Sequence, residues 1–170
     1  MELPVENAFE ILGLPRQFDL TRAQIAAAYR RTMLSIHPDV SSASESDAET
    51  AARLNVAKET LENPLSRAEH LLQLIDENPP GRDAALPPDF LMEMMDVRES
   101  AETEIAQDGE LARERWRAWA HDRRAEYVNE AQRAFAERMS PSNIRDMIAR
   151  WRYIERMIEQ LAPHYDIGRS

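Results

Sequence analysis

Along this 170-residue chain, apolar residues recur three and four positions apart with no stretch of strict alternation, so the pattern predicts helices and no sheet. Asn7 to Leu12 reads as a short helix that Gly13 can close in the left-handed conformation. Thr21 and Gln24 form a capping box that opens a helix to Ile36, with Ile25, Tyr29, Met33 and Ile36 turned toward a partner helix. A serine-rich loop from Ser41 to Ser46 follows, and Ser46 with Glu49 makes a second capping box for a helix from about Asp47 to Glu62. Asn63-Pro64 reads as the N-cap and first residue of another helix, carried by Leu65, Ala68, Leu71, Leu72 and Leu74. Residues 76–88, DENPPGRDAALPP, combine prolines, glycine and charge, and read as a linker between a domain at 1–75 and another at 89–170. Three helices are predicted beyond it, from about Pro88 to Gln107, Leu111 to Arg138 and Ser142 to Leu161, broken at Asp108-Gly109 and at Ser140-Pro141-Ser142. The fold class is all-α.

Two of these helices carry more apolar surface than one packed seam needs. At about 100° per residue, Phe90, Met94, Val97, Ala101 and Ile105 fall within an arc of about 80° and make a core seam. Leu91, Met95, Arg98 and Glu102 lie to one side of it, with Met92 and Glu99 farther round. The set Leu91, Met92 and Met95, framed by Asp96, Glu99 and Glu102, is either an exposed docking surface, which flexible methionines suit, or part of a broad buried face shared by Met94 and Met95. In the last helix Ile144, Met147, Ile148, Trp151, Ile154, Ile158 and Leu161 account for the core, and Tyr153 and Met157 are expected on the opposite side.

Between the second and third helices stands His37-Pro38-Asp39. Proline lacks a backbone donor and biases the preceding residue away from the helical region, so the tripeptide is a stiff corner presenting two short polar side chains. It is either a plain turn or a recognition signal. Arg30 and Arg31, about two turns earlier, either extend that polar surface or form an ordinary solvated face.

Composition narrows the function classes. With no cysteine, disulfides, thiolate metal sites and cysteine nucleophiles are excluded for this chain. The net charge of −10 argues against nucleic acid, and the acidic excess concentrates in residues 76–105, with nine acidic and two basic side chains. No apolar run approaches the ~18 residues of a membrane span, and Met1-Glu2-Leu3-Pro4 lacks the marks of a signal or transit peptide, so a soluble cytoplasmic protein is expected. There is no glycine-rich phosphate loop, and His70, His121 and His164 have no metal-ligand spacing, so no catalytic residue, metal or cofactor is expected.

The stretch from Ala8 to Leu74, with AFEILGLP, YRRTMLSIHPDV and ARLNVAKETLENPLSRAEHLL, resembles a J-domain. More narrowly, NPLSRAEHLL followed by FLMEMMDVRE is similar to the HscB-type J-domain co-chaperones of iron–sulfur cluster assembly, over about residues 7–162. The resemblance implies an L-shaped molecule in which a J-domain, a helical hairpin with the His-Pro-Asp loop, is joined to a C-terminal three-helix bundle. It implies a non-enzymatic protein that stimulates the ATPase of a DnaK-class (HscA-type) chaperone and delivers an IscU-type scaffold to it. On that resemblance His37, Pro38 and Asp39, with Arg30 and Arg31, form the ATPase-stimulating surface, and Leu91, Met92, Met95, Asp96, Arg98, Glu99 and Tyr153 the scaffold-binding one. The chain departs from many J-domains at Val40, where a basic residue is common, and at Ala26, where another cation is common. A monomer is expected, with neither nucleic acid nor membrane as partner. The lack of an N-terminal cysteine-bearing module fits a bacterial form, a processed mitochondrial form being the alternative.

Overall fold

The computed structural model describes residues 7–36, 45–76 and 86–162, with the backbone alone described at 36 and 45–47. Among these residues there are seven helices and no strand: α1 (Ala8–Ile11), α2 (Arg22–Ile36), α3 (Glu45–Glu62), α4 (Pro64–Ile75), α5 (Pro88–Asp108), α6 (Glu110–Ala136) and α7 (Pro141–Leu161). The chain divides into two compact units, one of residues 1–79 with 131–144 and the other of residues 80–130 with 145–170.

In the first unit, local sequence signals set the helix ends. The Asn7 side chain accepts from the Phe9 amide at 3.1 Å and opens α1. Gly13, at φ +62°, closes it, with the Leu14 amide donating to the Phe9 carbonyl and the Gly13 amide to the Glu10 carbonyl. These two bonds form the Schellman arrangement, and the left-handed backbone at its turn favours glycine. The capping box before α2 is complete: the Thr21 amide donates to Gln24 Oε1 at 2.8 Å, and the Gln24 amide to Thr21 Oγ1 at 3.2 Å. Asn63 Oδ1 accepts from the Ser66 amide at 3.1 Å, and Pro64 occupies the first turn of α4, where its missing N–H costs nothing. The box predicted at Ser46 is not the start of α3. That helix begins at Glu45, so Ser46 lies in its first turn, and a serine–glutamate pair three apart cannot by itself decide which nearby residue caps.

Phe9, Leu12, Ile25, Ala28, Leu54, Leu61, Ala68 and Leu72 are buried in this unit. Full burial of a large apolar side chain contributes about 1.5–3 kcal/mol each, so this set is the main source of the unit's stability. Two buried polar residues were not anticipated from periodicity. Arg67 Nη1 donates to the Leu20 carbonyl at 2.8 Å, and its guanidinium lies 4.9 Å from the Phe18 ring centre. His70 Nε2 accepts from the Ala8 amide at 3.0 Å, and its ring stacks on Phe9 at 5.7 Å. The Ala8 amide is one of the N-terminal donors that α1 cannot satisfy itself, so His70 completes what Asn7 begins. Phe135, near the end of α6, stacks on Phe18 at 5.7 Å and belongs to this unit.

In the second unit α5 and α6 run antiparallel around Gly109, whose φ of +60° makes the turn between them. Glu93 near the start of α5 pairs with Arg123 midway along α6 at 2.6 Å, while Val97 and Ile105 pack in one cluster with Trp116 and Trp119. Tyr127 stacks on Trp151 at 6.4 Å, and Arg124 is doubly bonded to Glu155, which also accepts from Trp151 Nε1 at 2.9 Å. These contacts join α6 to α7. Phe90 meets Tyr153 edge-on at 5.6 Å, which joins α5 to α7 and completes an up-down-up arrangement of three helices.

Candidate functional site

The seam of α5 is buried as its spacing requires: Phe90, Met94 and Ala101 are enclosed, and Val97 and Ile105 half enclosed. The neighbouring methionines separate sharply. Met94 is 1% exposed and Met95 70%, so the broad-buried-face reading of the pair is ruled out. Leu91 and Met92 are also exposed, at 41% and 67%, and Asp96, Arg98, Glu99 and Glu102 are exposed beside them. An apolar set exposed to this degree on one helix, rimmed by charge, has the chemistry of a docking surface.

Tyr153 is half-buried, its ring held against Phe90, and so stands at the rim of this surface on α7. Met157 is a correction. It is buried in a cluster with Ala120 and Leu161 instead of projecting beside Tyr153. The reason is that α7 packs against both α5 and α6 and therefore buries an arc of about 180°, wider than a single seam, which reaches Met157 and stops short of Tyr153.

Arg98 of α5 lies with Tyr153, Arg156, Met157 and Gln160 of α7 around a shallow hollow of about 160 Å³. The structure thus brings Arg98 and Tyr153 together, while Leu91, Met92, Met95, Asp96 and Glu99 line the outward side of the same helix, α5. Arg156 and Gln160 escaped the sequence reading. Their spacing of three and seven residues from Tyr153 was the available signal.

In the first unit Arg30 and Arg31 are both exposed on α2, and Leu34, one turn on, is 77% exposed. His37, Pro38 and Asp39 lie outside the described residues. Among the described residues no group of three histidine, aspartate or glutamate side chains could hold a metal ion, and no helix is long and apolar enough to cross a membrane.

Residues 7–70 match the DnaJ domain, and residues 86–162 match the HSCB C-terminal oligomerisation domain. Co-chaperone protein HscB homologs of Photobacterium profundum and Vibrio cholerae are 39% and 40% identical to this chain over 102 and 107 residues. Those stretches are 56% and 59% of this chain and 60% and 62% of the relatives' own length. The solved chaperone HscB from Vibrio cholerae superposes with a TM-score of 0.74 at 30% identity, covering 92% of this chain and 95% of that one. The human co-chaperone protein HscB shares the fold, with a TM-score of 0.78 at 24% identity over 94% of this chain and 82% of that one. A J-domain match ahead of an HscB-type bundle, and a solved relative matched nearly end to end, place this chain in the HscB co-chaperone family.

Proposed function

We propose that the chain is a non-enzymatic adaptor whose first unit stimulates the ATPase of a DnaK-class (HscA-type) chaperone and whose second unit carries an IscU-type scaffold to it during iron–sulfur cluster assembly. The observation that supports it best is the division of α5: its seam is buried while Leu91, Met92 and Met95 stand exposed among charged side chains, with Tyr153 at their rim. A patch of that composition suits a folded partner with a complementary apolar face. ATP and cluster are then fuel and cargo of the partners, and this chain contributes recognition on two surfaces. His37-Pro38-Asp39, with Arg30 and Arg31, is the signal to the chaperone, and the scaffold is held at the α5 face. A cytoplasmic monomer is the expected form.

The test is the steady-state ATPase of the cognate DnaK-class chaperone with and without this protein and the scaffold. Acceleration is expected, with most of it lost in Asp39→Asn while scaffold affinity stays unchanged. Equal acceleration by Asp39→Asn would sink the assignment of the signal. A second reading has the exposed methionine face as a contact between copies of this chain in a general J-domain protein that presents unfolded clients. Sedimentation at binding concentrations separates the two, since a dimer that dissociates in Met95→Ala favours the second.

A further inference from the structure

Cations are scarce near the docking face, and those on the adjoining helices are mostly occupied. Arg98 is one of two basic residues among residues 76–105, against nine acidic ones. Arg113, Arg115, Arg117, Arg123 and Arg124 of α6 are held in ion pairs, and the Arg150 guanidinium lies 5.9 Å from the Phe90 ring centre. Arg98 and Arg156 differ. Among the described residues neither is in an ion pair, and Arg156 makes one long bond, from Nε to the Arg152 carbonyl on its own helix, at 3.4 Å.

Both arginines border the hollow, whose other lining residues are Tyr153, Met157 and Gln160. Two guanidinium groups flanking one concavity repel each other and attract an anion, and a carboxylate matches their planar fork of donors. Gln160 and Tyr153 add neutral donors at the same place. The hollow's volume of about 160 Å³ is well below the ~300–1,000 Å³ of small-molecule sites, so it admits one side chain and no nucleotide or metabolite. Its position identifies whose side chain that is. Leu91, Met95 and Arg98 stand at i, i+4 and i+7 on one stripe of α5, so a body seated on Leu91 and Met95 reaches Arg98 at its edge.

We propose that Arg98 and Arg156, across the α5–α7 groove, form a subsite for an aspartate or glutamate side chain of the scaffold docked on the methionine face, fixing its orientation. This rests on the scaffold-binding reading above. The apolar face supplies contact area that any complementary apolar surface could fill. A two-arginine subsite at its end accepts one register, because a misplaced acid leaves both cations unpaired and a misplaced apolar group desolvates them.

Calorimetry with the folded IscU-type scaffold, at low and high salt, tests it with wild type, Arg156→Ala, Arg156→Gln, Arg98→Ala and Met95→Ala. Loss of either arginine is expected to weaken binding about tenfold or more and to flatten its salt dependence. Arg156→Lys should retain part of the affinity, and an acid-to-arginine exchange on the scaffold should restore binding to Arg156→Glu. If Arg98→Ala, Arg156→Ala and Arg156→Gln all bind like wild type with the same salt slope while Met95→Ala binds weakly, the acid subsite is wrong and the docking face stands. If Met95→Ala is also without effect, or the wild-type protein does not bind the scaffold, the scaffold-binding reading itself fails and the subsite with it.

Discussion

The exposed end of α2 and the exposed face of α5, the two surfaces proposed above for recognition, are built on opposite plans. On α2, the exposed Arg30, Arg31 and Leu34 come from five consecutive residues of one helix, shortly before His37-Pro38-Asp39 in the sequence. On α5 the apolar residues come first and charge frames them, and the surface is finished only by Tyr153, Arg156 and Gln160 from a helix more than fifty residues away. On the proposed reading the first surface draws on neighbours in sequence, so it needs little support from the rest of the fold. The second makes recognition depend on how two helices are packed, and so it is sensitive to the core beneath it.

That contrast can be broken most forcefully at Phe90, which is buried, meets Tyr153 edge-on and carries the Arg150 guanidinium over its ring. Phe90→Ala should cost about 3–5 kcal/mol of stability in the second unit, read by denaturant unfolding of its tryptophans. It should also weaken scaffold binding more than it weakens ATPase stimulation. Next in size is the triple exchange Leu91→Ala, Met92→Ala and Met95→Ala, on side chains that are already exposed. Scaffold affinity measured by calorimetry should fall by about 2–4 kcal/mol with little change in melting temperature, so stability and binding separate where Phe90→Ala joins them.

A smaller effect is expected on the other surface. Arg30→Glu with Arg31→Glu should lower the apparent affinity for the chaperone several-fold in an ATPase titration, and the loss should shrink as salt is raised, with scaffold binding untouched. The smallest effect concerns His70, whose burial holds its pKa below the ordinary 6.5, against an opposing hydrogen bond with Gln73. Because the unfolded chain protonates first, this contribution is fully present above about pH 6.5 and is lost as pH falls through the lowered folded value. Hydrogen exchange should show the Ala8 amide losing protection as pH falls, once intrinsic exchange rates are corrected for, and His70→Gln should flatten that pH dependence.

Helix ends were legible at three caps made by neighbours in sequence, though not at Ser46, which lies inside α3. Thr21–Gln24, Asn63–Ser66 and the Gly13 turn all close over five residues or fewer, and each is present in the structure. Arg67 and His70 were not legible, because their partners at Leu20 and Ala8 lie 47 and 62 residues away and no period along α4 announces them. Counting around α5 isolated Leu91, Met92 and Met95 as surplus but left their exposure open. Counting around α7 put Met157 on the wrong side, since a periodic count assumes one packed face and α7 has two.

The sequence by itself determined the helical class, the breaks between helices and the family, because each rests on local spacing or contiguous motifs. The tertiary structure decided which of two adjacent methionines faces solvent and which residues of α7 share a surface with α5. Helical periodicity gives the angle of each side chain about its own axis, but only the packing of neighbouring helices fixes how wide an arc is buried and what stands across the groove from Arg98.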